Sequence, residues 1–297
     1  MASAQPPAII VHGGAGVLSS DGSGHEWPEL AGVRAAACTG FAILDRGGSA
    51  LDAVEEAVRL LEDDPTYNAG TGACLTAAGD AELDASIMDG ATLRCGAVAV
   101  VKDVKNPVSL ARHLLEGKGH VFLAGPGASA FARSVGIPAH ENTLLVTPRQ
   151  LDRFRRAGAS PPASTGTVGA VARDRLGHLA AATSTGGMAM KLPGRVGDTP
   201  LIGCGTYADD LSAAVSCTGH GERLIELTLA RHCAYLASQG YNAMEAAQQS
   251  VCLLRDRVNG EGGLIVLTRC GGIGFAHNTP AMSRAYSRPD GTIEVAI

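Results

Sequence analysis

The sequence predicts an α+β fold in which β-sheets are enclosed between layers of helix. Strand and helix signals alternate along the chain, and they do so again after a single break. Cys95 to Val101 is a nearly all-apolar strand, as suits a sheet covered on both faces, and 297 residues suffice for a large core.

Pro7 to His12 is a short β-rich run ended by Gly13-Gly14, and a polar Gly/Ser-rich loop follows through Gly24. Glu29 to Leu44 and Ala50 to Leu61 carry apolar residues at helical spacing; Gly47-Gly48 separates them, with Ser49 placed as an N-cap. Glu62 to Gly72 is dense in turn-forming residues and reads as a loop. Ala73 to Thr76 and Glu82 to Met88 flank Gly79-Asp80 as a hairpin. Pro107 to Leu115 and Ala128 to Val135 read as helices. Thr147 to Thr165 changes character, with four arginines followed by a Pro/Ser segment, and is the one linker-like stretch. After it come strands at Val168 to Ala172, Leu179 to Thr183 and Ala213 to Cys217, then helices at Glu222 to Ser238 and Ala243 to Val258. Gly263 to Leu267, Gly274 to His277 and Thr292 to Ile297 form a closing strand set.

Composition excludes several classes. A net charge of −5 gives polyanions no basic track, so nucleic acid is not an expected partner. No stretch approaches the roughly 18 uninterrupted apolar residues of a membrane span. The first sixteen residues lack a basic region and a long apolar run, and the expected location is the cytoplasm. Eight cysteines without a CxxC pair read mostly as reduced thiols of the core or a pocket wall. Charged residues are only 18%, which suits surface buried in an oligomer. The 39 glycines, about twice the usual share, mark many backbone positions that need glycine geometry.

Metal and nucleotide motifs fare poorly. HExxH, the P-loop and GxSxG are absent, and no close histidine pair has metal-ligand spacing. Gly125 to Ala130 partly fits GxGxxA, which keeps a nucleotide-binding protein as an alternative of another class, although the strand before it is short.

The informative region begins where the linker ends. Gly166-Thr167-Val168-Gly169 places a hydroxyl at the start of an apolar strand; taken alone, a threonine there is ordinarily a strand former. Thr183-Ser184-Thr185-Gly186-Gly187 follows, then Gly194-Arg195-Val196-Gly197-Asp198, then Cys217-Thr218-Gly219-His220-Gly221-Glu222. With HGGAG at His12 to Gly16, Gly47 to Gly72 and ELDASIMDG at Glu82 to Gly90, these motifs strongly resemble the plant-type asparaginase and isoaspartyl peptidase family of N-terminal-nucleophile hydrolases. The resemblance covers nearly the whole chain and keeps the motif order. Glycosylasparaginase is the competing relative within it; that enzyme usually has Asp before the nucleophile and Asn after TST, where this chain has Gly166 and Gly186. Threonine aspartases, with longer insertions, fit less well.

The resemblance implies a four-layer αββα sandwich and one catalytic domain over residues 1–297. It also implies self-cleavage between Gly166 and Thr167 into chains 1–166 and 167–297, with asparagine and β-aspartyl dipeptides as substrates. By the same resemblance Thr167 is the nucleophile, Thr185 orients its hydroxyl, and Thr218 and Gly219 form the oxyanion hole. Arg195 and Asp198, with Gly219, Gly221 and Asn68 beside them, bind the substrate. A guanidinium fork matches a carboxylate and a carboxylate matches an ammonium, so Arg195 and Asp198 suit the free zwitterion of asparagine or of an N-terminal isoaspartyl residue; a surface ion pair is the plainer alternative. Backbone carbonyls of Leu61, Glu62, Asp64, Tyr67, Ala69 and Thr71 are implied to wrap a structural sodium ion, with no cofactor for catalysis, and the enzyme to be a dimer of αβ units. Three departures stand out: a short linker, Met190 where the family has Asn before the lysine, and His220 at a variable pocket position.

A threonine serves without histidine because, as the first residue of a chain, it carries its own base. Its α-amine has a reference pKa of about 7.7 to 8.0 and can take the hydroxyl proton near neutrality.

Overall fold

The computed structural model describes residues 6–16, 27–117, 119–156 and 166–297. In chain order the elements are β1 (Ala8–Gly16), α1 (Pro28–Asp45), α2 (Ala50–Asp63), β2 (Leu83–Asp89), β3 (Cys95–Val101), α3 (Pro107–Glu116), β4 (Phe122–Ala124), α4 (Gly125–Ser134) and α5 (Pro148–Arg156). The second half holds β5 (Val168–Arg173), β6 (Leu179–Thr185), β7 (Thr206–Ala208), β8 (Ala213–Gly219), α6 (Gly221–Leu227), α7 (Leu229–Ser238), α8 (Ala243–Val258), β9 (Gly262–Thr268), β10 (Ile273–His277), β11 (Ala281–Ser287) and β12 (Ile293–Ala296). It is a mixed α/β fold with two sheets.

The larger sheet runs β12-β11-β1-β5-β6-β2-β3-β4 and the smaller β10-β9-β8-β7. All neighbours are antiparallel except β3 and β4, which α3 connects as a parallel pair. β1 sits inside the larger sheet, paired with β11 on one side and β5 on the other.

Three apolar clusters follow from the two-residue period of the strands. On β5, Val168, Ala170 and Ala172 face a cluster with Val33 of α1, Val54 and Val58 of α2 and Leu110 of α3. Their neighbour Val171 joins a second cluster, with Ile10 and Met282 of the larger sheet and Ala214, Ile265 and Leu267 of the smaller one. β9 splits the same way: Leu264 and Val266 pack with Leu229 and Cys233 of α7 and Ala247 and Leu254 of α8. Alternate side chains of each strand thus face opposite directions and are buried on both.

Several sequence expectations change. β1 does not stop at the glycines; it continues to Gly16 with a shift in register against β11 between His12 and Ala15. The expected hairpin around Gly79 shrinks to one bridge between Leu75 and Ala81, and the strand proper starts at Leu83. The single helix expected over Glu222 to Ser238 breaks at Thr228, which has φ +47°. α4 begins at Gly125 rather than Ala128. The start of the expected linker is helical: Gln150 is buried and donates to the Gly72 carbonyl, and Arg149 donates to those of Pro65 and Thr66. The rest of that linker, 157–165, and the loop over 17–24 lie outside the described residues. Of the eight cysteines, all free, four are buried, while Cys38 and Cys270 are exposed and so belong to no core.

Candidate active site

The site gathers at the ends of β1, β5, β6 and β8. In the β5–β6 register Val168 faces Ser184, which sets Thr167 across from Thr185 at the strand end. The two hydroxyl oxygens are 3.1 Å apart, and Thr185 Oγ1 also accepts the Gly187 N–H at 3.0 Å. With one hydrogen per hydroxyl, Thr167 and Thr185 are held in a defined orientation by this glycine turn.

Gly187, at φ +77°, links the two parts of the site. Its carbonyl accepts from Asn68 Nδ2 at 2.7 Å, while Asn68 Oδ1 accepts the Cys74 N–H at 2.7 Å and the Asn68 carbonyl accepts the Gly186 N–H at 2.9 Å. A Cβ on Gly186 would sit 2.6 Å from Asn68 Oδ1 and from Ala73 Cβ, so the asparagine found there in glycosylasparaginases has no room. A Cβ on Gly187 would lie 2.9 Å from Lys191 Nζ and 3.3 Å from Arg195 Nη1.

The HGGAG run of β1 closes over the peptide before Thr167. A Cβ on Gly14 would fall 2.0 Å from the Cα of Gly166, so only glycine lets the backbones approach this closely. Gly166 itself has φ +90°. The next residue, Ala15, donates its N–H to Thr218 Oγ1 at 3.2 Å, which leaves the Thr218 hydroxyl hydrogen available. Gly219 follows at φ +143°, against Gly262 and Glu261. A cavity of about 610 Å³ opens here, lined by Ala15, Gly16, Gly219, His220, Glu261 and Arg255 among others.

Arg195 and Asp198 converge on Gly221, where a Cβ would meet Arg195 Nη2 at 2.7 Å and Asp198 Oδ1 at 3.1 Å. Asp198 is buried, its Oδ2 lacks a hydrogen-bond partner among the described residues, and desolvation pushes its pKa up to about 7. Arg195 is not simply paired with Asp198: it forks onto Glu222 with two contacts of 2.9 Å and holds that carboxyl below its usual range. Sequence reasoning missed Glu222, which stands 27 residues away in the SCTGHGE motif. It also missed Lys191, buried beside Gly187, whose ammonium donates to the Glu82 carbonyl at 3.0 Å and lies 3.9 Å from Asp84. Met190, just before it, has φ +61°, a conformation that asparagine tolerates and methionine does not favour. His220 is 3.5 Å from Glu222.

The pattern of the asparaginase family matches residues 5–297. The chain belongs to the asparaginase family. Among relatives, it is 45% identical over 273 residues to an isoaspartyl peptidase/L-asparaginase of Danio rerio, covering 89% of this chain and 87% of that one. The protein of the same name from Homo sapiens is also 45% identical, over 89% and 88%. An isoaspartyl peptidase of Salmonella typhimurium is 44% identical over 295 residues, 94% of each. In this asparaginase-family chain the nucleotide-like run Gly125 to Ala130 lies in α4, just after β4 at the far edge of the larger sheet, and a Cβ on Gly125 or Gly127 would touch nothing among the described residues. The implied sodium loop curls back on the end of α2: the Glu62 carbonyl accepts the Thr71 N–H at 2.8 Å and the Asp64 carbonyl that of Tyr67 at 3.2 Å. Each carbonyl oxygen retains a second lone pair, and a hard cation takes oxygen donors of this kind.

Proposed function

We propose that the chain is a self-processing threonine amidohydrolase that converts L-asparagine to aspartate and ammonia and cleaves β-aspartyl dipeptides. The observation that carries this reading is the Thr167–Thr185 hydroxyl pair behind Gly166, beside a Gly221 floor where Arg195 and Asp198 meet. The alternation of the three apolar clusters supports an αββα sandwich as its scaffold. Carbonyls of Leu61, Glu62, Asp64, Tyr67, Ala69 and Thr71 would hold a sodium ion that supplies only structural charge.

In processing, Thr167 Oγ1 attacks the Gly166 carbonyl carbon and the scissile nitrogen leaves as the new α-amine. Water then opens the ester to give chains 1–166 and 167–297. In turnover, the freed amine takes the Thr167 hydroxyl proton as the oxygen attacks the side-chain carbonyl carbon of the substrate. The Thr218 hydroxyl and Gly219 N–H donate to the oxyanion. The protonated amine passes its proton to the leaving ammonia or peptide amine, and water hydrolyses the acyl ester. Arg195 takes the α-carboxylate and Asp198 the α-ammonium. An α-aspartyl peptide has no free α-carboxylate to offer Arg195, which then keeps only Glu222 and gains nothing from the substrate.

The test is kcat/KM on asparagine, a β-aspartyl dipeptide and its α-aspartyl isomer. The first two are hydrolysed and the third is not; equal rates on the two isomers overturn the reading.

A further inference from the structure

Lys191 has no step in the chemistry proposed above, yet its ammonium is buried, with the side chain only 1% exposed. It donates to the Glu82 carbonyl at 3.0 Å. The two carboxylates that act on it, those of Asp84 and Glu82, do not cap it closely. Asp84 Oδ2 stays 3.9 Å away, while its Oδ1 accepts the Val100 N–H at 2.9 Å. Glu82 spends Oε2 on the Gly194 N–H at 2.8 Å and turns Oε1 toward Lys102 at 3.4 Å. The cation is therefore incompletely neutralised.

The register of the sheet brings this pair to the nucleophile. Asp84 of β2 faces Thr185 of β6, and Thr185 lies across from Thr167 at the start of β5, so the three side chains form one row on one face of the larger sheet. Thr185 Oγ1 accepts the Gly187 N–H, and a Cβ on Gly187 would lie 2.9 Å from Lys191 Nζ. The ammonium thus stands directly behind the peptide that holds the Thr167–Thr185 pair.

The other titratable and charged groups on this side of the molecule are neutral, matched or wet. His12 of β1 has its ring beside the Thr167 backbone, but burial brings its pKa down to about 3 and keeps it uncharged. Burial likewise holds Cys74 as a thiol. Arg195 would lie 3.3 Å from the same Gly187 Cβ, but its charge is forked onto Glu222 at 2.9 Å. Asp198 lies beyond Arg195 and takes the substrate ammonium in the function proposed above. β8 presents the uncharged Thr218, and past it His220 and Glu261 line the open cavity, where water screens them.

A free α-amine has a reference pKa of about 7.7 to 8.0, so near neutrality most of it is protonated and cannot take the Thr167 hydroxyl proton. A buried cation close by disfavours the protonated form, and the low-dielectric interior strengthens its reach. A buried carboxylate does the reverse. We propose that Lys191 is the cation that keeps the α-amine of processed Thr167 unprotonated near neutral pH, with Asp84 as the opposing charge that limits the effect. Lys191 touches no reacting atom; it is a positioning residue that acts through the amine. The inference rests on the function proposed above.

The test is kcat for asparagine against pH, at saturation, on self-cleaved wild type, Lys191→Met, Asp84→Asn and the double variant. Saturation keeps Asp198 paired with the substrate ammonium, so the acid limb of kcat follows the amine. Lys191→Met moves that limb to higher pH by about one unit, and Asp84→Asn moves it to lower pH by about half a unit. The double variant falls between them. Lost packing alone would lower the plateau of kcat and leave the limb in place. Should Lys191→Met fail to fold or cleave, the isosteric Asp84→Asn decides by itself. A limb unmoved in either single variant, or moved the same way in both, overturns the inference while the proposed function stands. A wild type that neither cleaves itself nor hydrolyses asparagine overturns both.

Discussion

The half of the site around the proposed nucleophile, Thr167, and the half around Arg195 are made of opposite materials. The hydrogen-bonding groups around Thr167 are neutral: Thr185, Asn68 and the peptide groups of Cys74, Gly186 and Gly187 satisfy one another at 2.7 to 3.1 Å. Around Arg195 the groups are ionic and incompletely matched, with one buried oxygen each of Asp198 and Asp84 lacking a hydrogen-bond partner among the described residues. The neutral half is complete before any ligand arrives. The charged half is not, and a buried carboxylate without a partner is costly until a ligand cation matches it. On the proposed function, rate is set in one half and selectivity in the other.

The strongest way to break this division is Thr167→Ala, which removes the proposed nucleophile and leaves the charged half intact. Turnover falls by at least about 10³-fold, and intact-mass measurement after long incubation finds one uncut chain where the wild type gives two.

Next in size is the opposite cut. Arg195→Ala costs about 2 kcal/mol of transition-state stabilisation, roughly thirtyfold in kcat/KM on a β-aspartyl dipeptide. Arg195→Lys does not recover it, because a point charge replaces a fork. Both variants still yield two chains on a denaturing gel, since the peptide before Thr167 presents no zwitterion to read.

Asp198 sharpens the comparison through pH. With its pKa raised to about 7, its ionised fraction climbs from about a tenth at pH 6 to about nine tenths at pH 8. Calorimetric affinity for L-aspartate, whose ammonium stays charged throughout, rises up to about tenfold across that window, and Asp198→Asn removes the dependence. The sign for stability is opposite. The folded state holds this proton more tightly than the unfolded one, so the ligand-free protein loses stability as pH rises from about 4 to about 7.

The smallest effect is at the junction of the halves. Met190→Asn puts a tolerant residue at φ +61° and gains about 1 kcal/mol, read as a higher Tm. An unchanged Tm would mean that the left-handed turn stores no strain.

The nucleophile half was more legible in the sequence than the charged half. Glycine-bracketed motifs declare themselves locally, and Gly14, Gly186 and Gly221 all turn out to face a neighbour that a Cβ would strike. Glu222 did not declare itself, because its partnership with Arg195 is made across 27 residues of intervening fold. His12 was read as part of a motif and not as a buried side chain against Ser216, since a lone histidine carries no spacing signal. In the fold, strong periodicity located α8 and β3 to the residue. β11 was missed because Ala281–Ser287 mixes buried Ser283 and Arg284 into the run, and Arg284 is sheltered by stacking 4.0 Å over Phe275. The break at Thr228 was hidden because an ordinary residue there adopts the left-handed turn that sequence reading assigns to glycine.

The placement of β1 also bears on when activity begins. It is synthesised before both of its flanks, β5 and β11, and Ile9 donates to Ser287, 278 residues later. At ordinary rates of translation, the stretch between β5 and β11 takes on the order of ten seconds to emerge. During that interval β1, with the glycines that cover Gly166, has no neighbour on one side. The order of synthesis thus acts as a clock, keeping the strand that covers Gly166 without its second neighbour until β11 has emerged.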